Sequence, residues 1–159
     1  MAESPVQISI LGLEDKIFAF NTPEDVSPQA LGPLDLKLNL RVSFDADEEV
    51  VALFVDLRTS HLRPTEAQPD RLVRLIHYAG DMHFRVRGGR EAFVDPDTTG
   101  QFRLPRDLVV SLLATTFSTF RGIVYARLGT SELRHLILPL LDPEHALPDT
   151  GTYVIPVTA

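Results

Sequence analysis

Hydrophobic and polar residues alternate without a break along residues 34–44, the clearest pattern in the chain. The apolar positions are Leu34, Leu36, Leu38, Leu40, Val42 and Phe44, with Asp35, Lys37, Asn39, Arg41 and Ser43 between them. Since successive side chains of a strand point to opposite faces, this period of two predicts a half-buried antiparallel strand.

Two later segments repeat this period. The acidic run 45–49 reverses the chain, and residues 50–59 return with apolar residues on both sides, so we expect this strand to lie centrally. Residues 71–87 alternate again, with one apolar face and one mostly polar face. Each of these segments therefore predicts a further strand of the same sheet.

Residues 6–20 also alternate, but the phase changes along the segment. Ile8, Ile10, Phe18 and Phe20 share one phase, and Leu11 and Leu13 share the other. A one-residue slip near Leu11 and Gly12 produces this pattern, and a β-bulge is its usual cause. With this segment included, we predict an antiparallel sheet of about four strands that has one apolar face.

A period of three to four residues replaces the period of two after residue 104. Pro105 suits the first position of a helix, where its missing N–H costs nothing, and Gly129 suits the carboxy-terminal cap. The spacing predicts a helix over residues 105–128, ~36 Å long at 1.5 Å per residue. The apolar stripe that faces the sheet contains Val110, Leu113, Phe117, Phe120 and Val124.

This stripe is broader than one sheet face requires. Leu108, Leu112 and Ile123 widen it, so we expect these three residues to contact another subunit. Strands that come first and helices that come last predict an α+β fold, with the helices on one side of the antiparallel sheet. No internal repeat or linker divides residues 1–159, which we interpret as a single domain.

Composition narrows the classes of function. The chain has 159 residues, of which 44% are hydrophobic and 23% charged, as is ordinary for a globular domain. It contains no cysteine, which excludes disulfides, thiolate zinc sites and cysteine nucleophiles. The net charge of −7 disfavours nucleic acid as a partner. Because the amino terminus lacks a signal peptide and no apolar run approaches ~20 residues, we expect a cytoplasmic protein without membrane insertion.

Candidates for catalysis or metal binding are few. No phosphate-binding loop and no nucleophile elbow occur, so we expect neither catalytic residues nor a cofactor. His77, Asp81 and His83 share a predicted strand face. However, His77 and Asp81 stand ~13 Å apart at 3.3 Å per residue, too far to hold one ion. We therefore interpret this face as exposed and polar, and metal or small-molecule binding through Asp81 and His83 as the weakest alternative.

The second half of the chain resembles a known family. Residues 118–124 read STFRGIV and residues 136–143 read LILPLLDP. This order resembles the carboxy-terminal half of SecB-like chaperones, in which a helix with a central Arg leads to an apolar segment with a Pro and then to a short last helix. Earlier segments fit the same order, among them FNTP, LDLKLN and HYAGDMHF. The resemblance covers residues 8–147 as the core and leaves 148–159 as a tail.

The resemblance implies a chaperone of the preprotein-export type. Such proteins form tetramers, as dimers of dimers, that bind unfolded polypeptides in long apolar grooves and use no cofactor. On this basis we expect groove residues from the first strand, the following Pro-rich loop and the region before the helix. The candidates are Phe18, Phe20, Val26, Leu31, Phe93 and Phe102.

The resemblance also implies a docking partner. In export chaperones, acidic residues of the first and fourth strands help to dock the SecA translocation motor. Glu14 and Asp15 match the first-strand position approximately, whereas the residues ahead of Ala79 are apolar or basic here. The alternative is an interaction module of the same fold that serves one dedicated partner, for example in a toxin–antitoxin system.

Overall fold

The structure is a computed structural model that describes residues 6–22, 34–62, 66–69, 71–94, 101–138, 140–147 and 152–156. Its elements are β1 (Gln7–Phe20), β2 (Leu34–Asp45), β3 (Val50–Leu62), β4 (Leu72–Arg87), α1 (Gly89–Ala92), β5 (Gln101–Pro105), α2 (Arg106–Leu128), a 3-10 helix (Glu132–His135), α3 (Pro143–Ala146) and β6 (Thr152–Pro156). The predicted α+β class, with strands first and a long helix late in the chain, is confirmed.

The first four strands form one antiparallel sheet in the order β1-β4-β3-β2. The alternation of the sequence predicted all four, and β3 is an inner strand as expected. β2 pairs with β3 over its whole length without a change of register. β1 and β2 are therefore the two edges of the sheet.

β1 pairs with β4 in a broken register. One shift lies between Ile10 and Gly12, which confirms the slip predicted from the sequence, and a second lies between Asp15 and Ile17. Each extra residue moves the following side chains to the other face. The two shifts together explain why the hydrophobic phase changes and then returns along this strand.

The core lies between the inner face of the sheet and α2. Along β3, buried and half-buried residues alternate, as the period of two requires. Tyr78 of β4 meets Phe120 of α2 edge to face, with the ring centroids 4.6 Å apart. Gly80 of β4 allows the β1 backbone to approach closely, because a Cβ there would lie only 2.9 Å from the backbone oxygen of Glu14.

α2 begins one residue later than predicted, because Pro105 ends β5 and lies before the first helical residue. Gly129 caps the other end, as predicted, and donates its N–H to the carbonyl oxygen of Ala126. By length and composition, this helix is apolar enough to cross a bilayer. Here its buried face packs on the sheet, as in the core helix of a globular domain.

A second sheet of two strands joins distant parts of the chain. β5 and β6 pair antiparallel, from Gln101 opposite Pro156 to Pro105 opposite Thr152. β6 falls in the segment, residues 148–159, that the resemblance leaves as a tail. Phe102 of β5 lies 4.9 Å from the Phe44 ring, which places this small sheet beside β2.

Candidate functional site

β1 exposes more large apolar side chains than any other described strand. Ile10 is 57% exposed, Phe20 46% and Ile17 42%, and Ile8 and Leu11 are also exposed. Ile10 and Phe20 stand opposite the inward-facing residues of β4, whereas Ile17 stands opposite Ala79 on the other face. Since β1 pairs only with β4 among the described strands, its outer side also presents main-chain N–H and C=O groups.

The path of α2 explains this exposure. The helix begins after Phe102, which packs on Phe44 of β2, and its last turn brings Arg127 to Asp15 of β1. Ile10 lies away from this path and stays exposed, although its partner Phe84 is buried. The beginning of β1 is therefore an apolar corner that the helix does not cover.

A shallow depression of about 570 Å³ adjoins the first bulge on the other side of the sheet. Its apolar wall includes Leu11 and Leu13, and its polar wall includes Ser43 and His83. β1 thus offers apolar contacts on both faces within one short stretch of chain.

The middle of β1 is held to the inner face of the sheet by Asp15. The Tyr78 hydroxyl donates to Oδ1 of Asp15, and Nη2 of Arg127 donates to Oδ2. These hydrogen bonds, first that of Tyr78 and then that of Arg127, hold the pKa of the Asp15 carboxyl below its usual range, whereas burial raises the pKa of Tyr78. The Arg127 guanidinium also lies over the Phe18 ring, 4.9 Å from its centroid.

Glu14 points to the opposite face. Nζ of Lys16 lies 2.5 Å from Oε1 of Glu14 and 3.6 Å from Oδ2 of Asp81. The hydrogen bond from Lys16 lowers the pKa of Glu14, and the same pair raises the pKa of Lys16. Of the two acidic residues suggested for docking, Asp15 therefore lies on the inner face with its side chain 35% exposed, and Glu14 lies on the outer face with its side chain 59% exposed.

The ligand atoms of Glu14, Asp81 and His83 lie within 4.8 Å of one another. The ammonium group of Lys16 pairs with both carboxylates and neutralises one of their two charges, so this cluster is explained as an ion-pair network. His77 is not part of this cluster. Its Nε2 instead contacts Oδ1 of Asp56 at 3.1 Å. The expectation that this face holds no metal stays a prediction.

The four groove candidates that the structure describes do not come together. Phe18 and Phe20 lie on β1 with their ring centroids 6.0 Å apart, and Phe20 is exposed. Phe93 and Phe102 are buried in the core, where both rings pack against Phe44 and have almost no surface for a client. Val26 and Leu31 lie outside the described residues.

The helix residues expected at a subunit interface also differ in exposure. Leu112 is buried in the core, and Leu108 and Ile123 are partly buried against it. The solvent face of α2 instead carries small residues, which are Ser111, Thr115, Ser118, Gly122 and Ala126. Small polar residues carry no hydrophobic signal, so the apolar periodicity of the sequence could not identify this face.

Exposed apolar residues border this small-residue face. Tyr125 is 61% exposed, and beyond the helix Ile137 is 68% and Leu140 82% exposed. A groove of about 400 Å³ lies between α2 and residues 136–138, with Arg121 and Gly122 in its wall. The β1 edge and the outer face of α2 are thus two apolar regions of the described surface, and Leu62 and Leu72, which pair at the ends of β3 and β4, form a smaller exposed pair.

No family model and no curated protein matches this chain. Among solved structures, the SecB-like chaperone Rv1957 of Mycobacterium tuberculosis, in complex with a ChAD peptide from the Rv1956 HigA1 antitoxin, matches with a TM-score of 0.48 and 18% identity. The match covers 86% of this chain and 90% of that chain. A protein of unknown function from Streptococcus agalactiae matches with a TM-score of 0.43 and 10% identity, over 80% and 92% of the two chains. Neither similarity identifies what this chain binds.

Proposed function

We propose that this protein is a chaperone that binds unfolded or non-native polypeptides along the β1 edge, without catalysis. The observation that carries the proposal is an edge strand of 14 residues that exposes apolar side chains on both faces. An extended client chain added to this edge gains main-chain hydrogen bonds that are independent of its sequence. Loose contacts with residues such as Ile10 and Ile17 add affinity without demanding a particular side chain.

The composition of β1 supports a binding role. Natural edge strands are usually protected from further pairing by lysines, prolines or very short length. β1 contains no proline and a single lysine, and Lys16 is engaged by Glu14 and Asp81. The edge is therefore interrupted by its two β-bulges but is not blocked by lysine, proline or short length, so its apolar blocks stay open to another chain. The resemblance of the sequence to SecB-like chaperones points to the same class of function.

A test is the suppression of aggregation of a chemically denatured client that is diluted into buffer with the purified protein. The double variant Ile10→Lys, Ile17→Lys places charges on both faces of β1 and is expected to lose protection of the client. Asn39→Lys adds one charge on β2, the other edge of the sheet, and this variant is expected to keep its protection of the client. Failure of the unmodified protein at stoichiometric amounts would contradict the proposal.

We also propose that the protein works as a homo-oligomer, a tetramer built as a dimer of dimers, through the outer face of α2. Only 39% of the most apolar stretch of this helix is buried within the chain. Gly122 has open space around its Cβ position, so a second helix is able to approach closely there. Light scattering on the purified protein gives the mass, and a monomer at micromolar concentration would exclude the tetramer.

The cellular role has two candidates. Preprotein export in the cytoplasm requires docking to the SecA translocation motor, for which Glu14 and Asp15 were the expected contacts. The inward position of Asp15, bonded to Tyr78 and Arg127, favours the second candidate, a chaperone for one dedicated partner as in toxin–antitoxin systems. Calorimetric titration with the purified motor distinguishes the two roles. Saturable binding that becomes weaker in the Glu14→Gln variant supports the export role.

A further inference from the structure

β1 is divided by its two register shifts into three blocks of four residues. Residues 7–10, 12–15 and 17–20 each pair continuously with β4, and Leu11 and Lys16 fall at the shifts. A bulge disrupts the ladder locally and bends the strand that contains it. Each block is therefore a separately paired segment that is joined to the next through a single bulge residue.

The middle block is attached on both faces of the sheet. On the inner face, Asp15 accepts hydrogen bonds from Tyr78 of β4 and Arg127 of α2. Tyr78 is fully buried, and the carboxylate and guanidinium side chains are only 35% and 37% exposed. On the outer face, Glu14 meets Asp81 through the ammonium group of Lys16.

The two end blocks have a different kind of contact with the sheet. The first carries Ile8 and Ile10, and the last carries Ile17 and Phe20, all of which are exposed. The described polar contact of β1 with α2 passes through Arg127, which bonds Asp15 in the middle block and lies over the Phe18 ring in the last block. The apolar blocks that meet a client thus depend on the middle block for their position.

We propose that Asp15 and Arg127 are positioning residues, which hold the middle of β1 on Tyr78 and α2 so that both apolar end blocks stay in register for an incoming chain. The role in client binding rests on the proposed function, whereas the effect on β1 itself does not. A charged hydrogen bond that is half removed from water contributes more than one on the surface, and a contact between sheet and helix constrains both elements.

Hydrogen exchange followed by mass spectrometry on the full chain tests the proposal. Asp15→Asn keeps the shape of the side chain and removes its charge, and Arg127→Met keeps much of its length. Both are expected to speed exchange of the β1 amides about tenfold or more, while the amides of β2 stay unchanged as the internal reference. Arg127→Lys keeps the charge and is expected to recover most of the protection.

Glu14→Gln is the matched control for the outer face. Its side chain is 59% exposed, so its ion pair with Lys16 contributes little and β1 exchange is expected to rise less than about threefold. If Asp15→Asn does not fold, Arg127→Met decides alone, since that side chain lies partly in solvent. Unchanged β1 exchange in the variants that fold would overturn the proposal.

Two further outcomes separate this proposal from the proposed function. Equal acceleration in β1 and β2, together with a lower melting temperature, indicates a general loss of stability and also overturns the positioning role. Selective loosening of β1 with unchanged suppression of client aggregation supports the role of Asp15 and Arg127. Unchanged suppression of aggregation by a protein whose β1 is loosened would, however, contradict the proposal that clients bind along β1.

Discussion

The two edge strands of the sheet occupy equivalent positions but differ in almost every other respect. β2 alternates strictly, pairs with β3 in one register, and turns polar residues outward. β1 alternates with breaks, pairs with β4 in three blocks, and exposes apolar residues on both faces. An edge strand is therefore not an interaction surface by position alone, since the loss of alternation is what leaves apolar side chains in water on either face.

The largest expected effect compares one phenylalanine on each edge. Phe44 of β2 is 2% exposed and packs on Phe93 and Phe102, so Phe44→Ala should lower the free energy of unfolding by about 3–5 kcal/mol. Phe20 of β1 is 46% exposed, and Phe20→Ala should cost less than about 1 kcal/mol while weakening client binding. Urea denaturation measures both values. Equal losses of stability would remove the distinction between the edges.

A second test concerns the attachment of β1 to the core. In Gly80→Ala the new Cβ meets the backbone oxygen of Glu14 at 2.9 Å, so β1 must shift, and a loss of about 1–3 kcal/mol is expected. Gly12→Ala in β1 is the control, because nothing lies within 4 Å of its Cβ position. The same unfolding measurement checks the pair, and similar values for both variants would contradict the close approach at Gly80.

A smaller effect separates the β1 edge from the outer face of α2. Gly122 lies inside the helix with open space around it, so Gly122→Ala should stabilise the isolated chain by about 0.5–1 kcal/mol. If a second helix packs closely on this face, the added methyl group should weaken assembly at the same time. Thermal unfolding and sedimentation report the two effects separately. A more stable chain with unchanged mass would exclude close packing at Gly122.

The smallest effect is the response of the β1 attachment to pH. The lowered pKa of Asp15 means that its contribution is fully present above the ordinary Asp pKa of 3.8 and is lost only as pH falls through the lower value. The raised pKa of Tyr78 means that its contribution is present below 10.0 and declines at higher pH, as the unfolded chain loses that proton. Stability from this contact should be constant between about pH 5 and 9. Tyr78→Phe should reduce the decline above pH 10, measured by urea denaturation at each pH.

Local periodicity was sufficient to predict most of the architecture. The four strands and the long helix follow from side-chain periods that depend only on neighbours in sequence, and the bulge at Leu11 follows from a visible change of phase. The bulge at Lys16 left only an indirect trace, the return of the first phase at Phe18, because three charged residues in a row hide the place where the phase changes.

The candidate site was harder to predict because it depends on contacts between distant residues. Phe93 and Phe102 flank a turn-rich connection and looked available, but both rings pack on Phe44, which lies about 50 residues earlier. The apolar stripe on α2 indicated how wide its apolar face is but not which part of that face meets the sheet. Leu112 was therefore expected at a subunit interface, although it is buried within the chain and has little surface left for such a contact. β6 pairs with β5 across 46 or more residues, a separation at which short strands give no local signal.

The two bulges of β1 also limit the number of further strands that are able to add to this edge of the sheet. An exposed apolar edge with unpaired main-chain groups is a template for fibre growth when it is long, flat and regular. In β1 the regular ladder is interrupted after every fourth residue, and each bulge increases the local twist. A regular strand therefore matches only one block at a time, whereas a flexible unfolded chain is able to follow all three. This geometry favours the capture of a single disordered chain over the stacking of folded copies into a fibril.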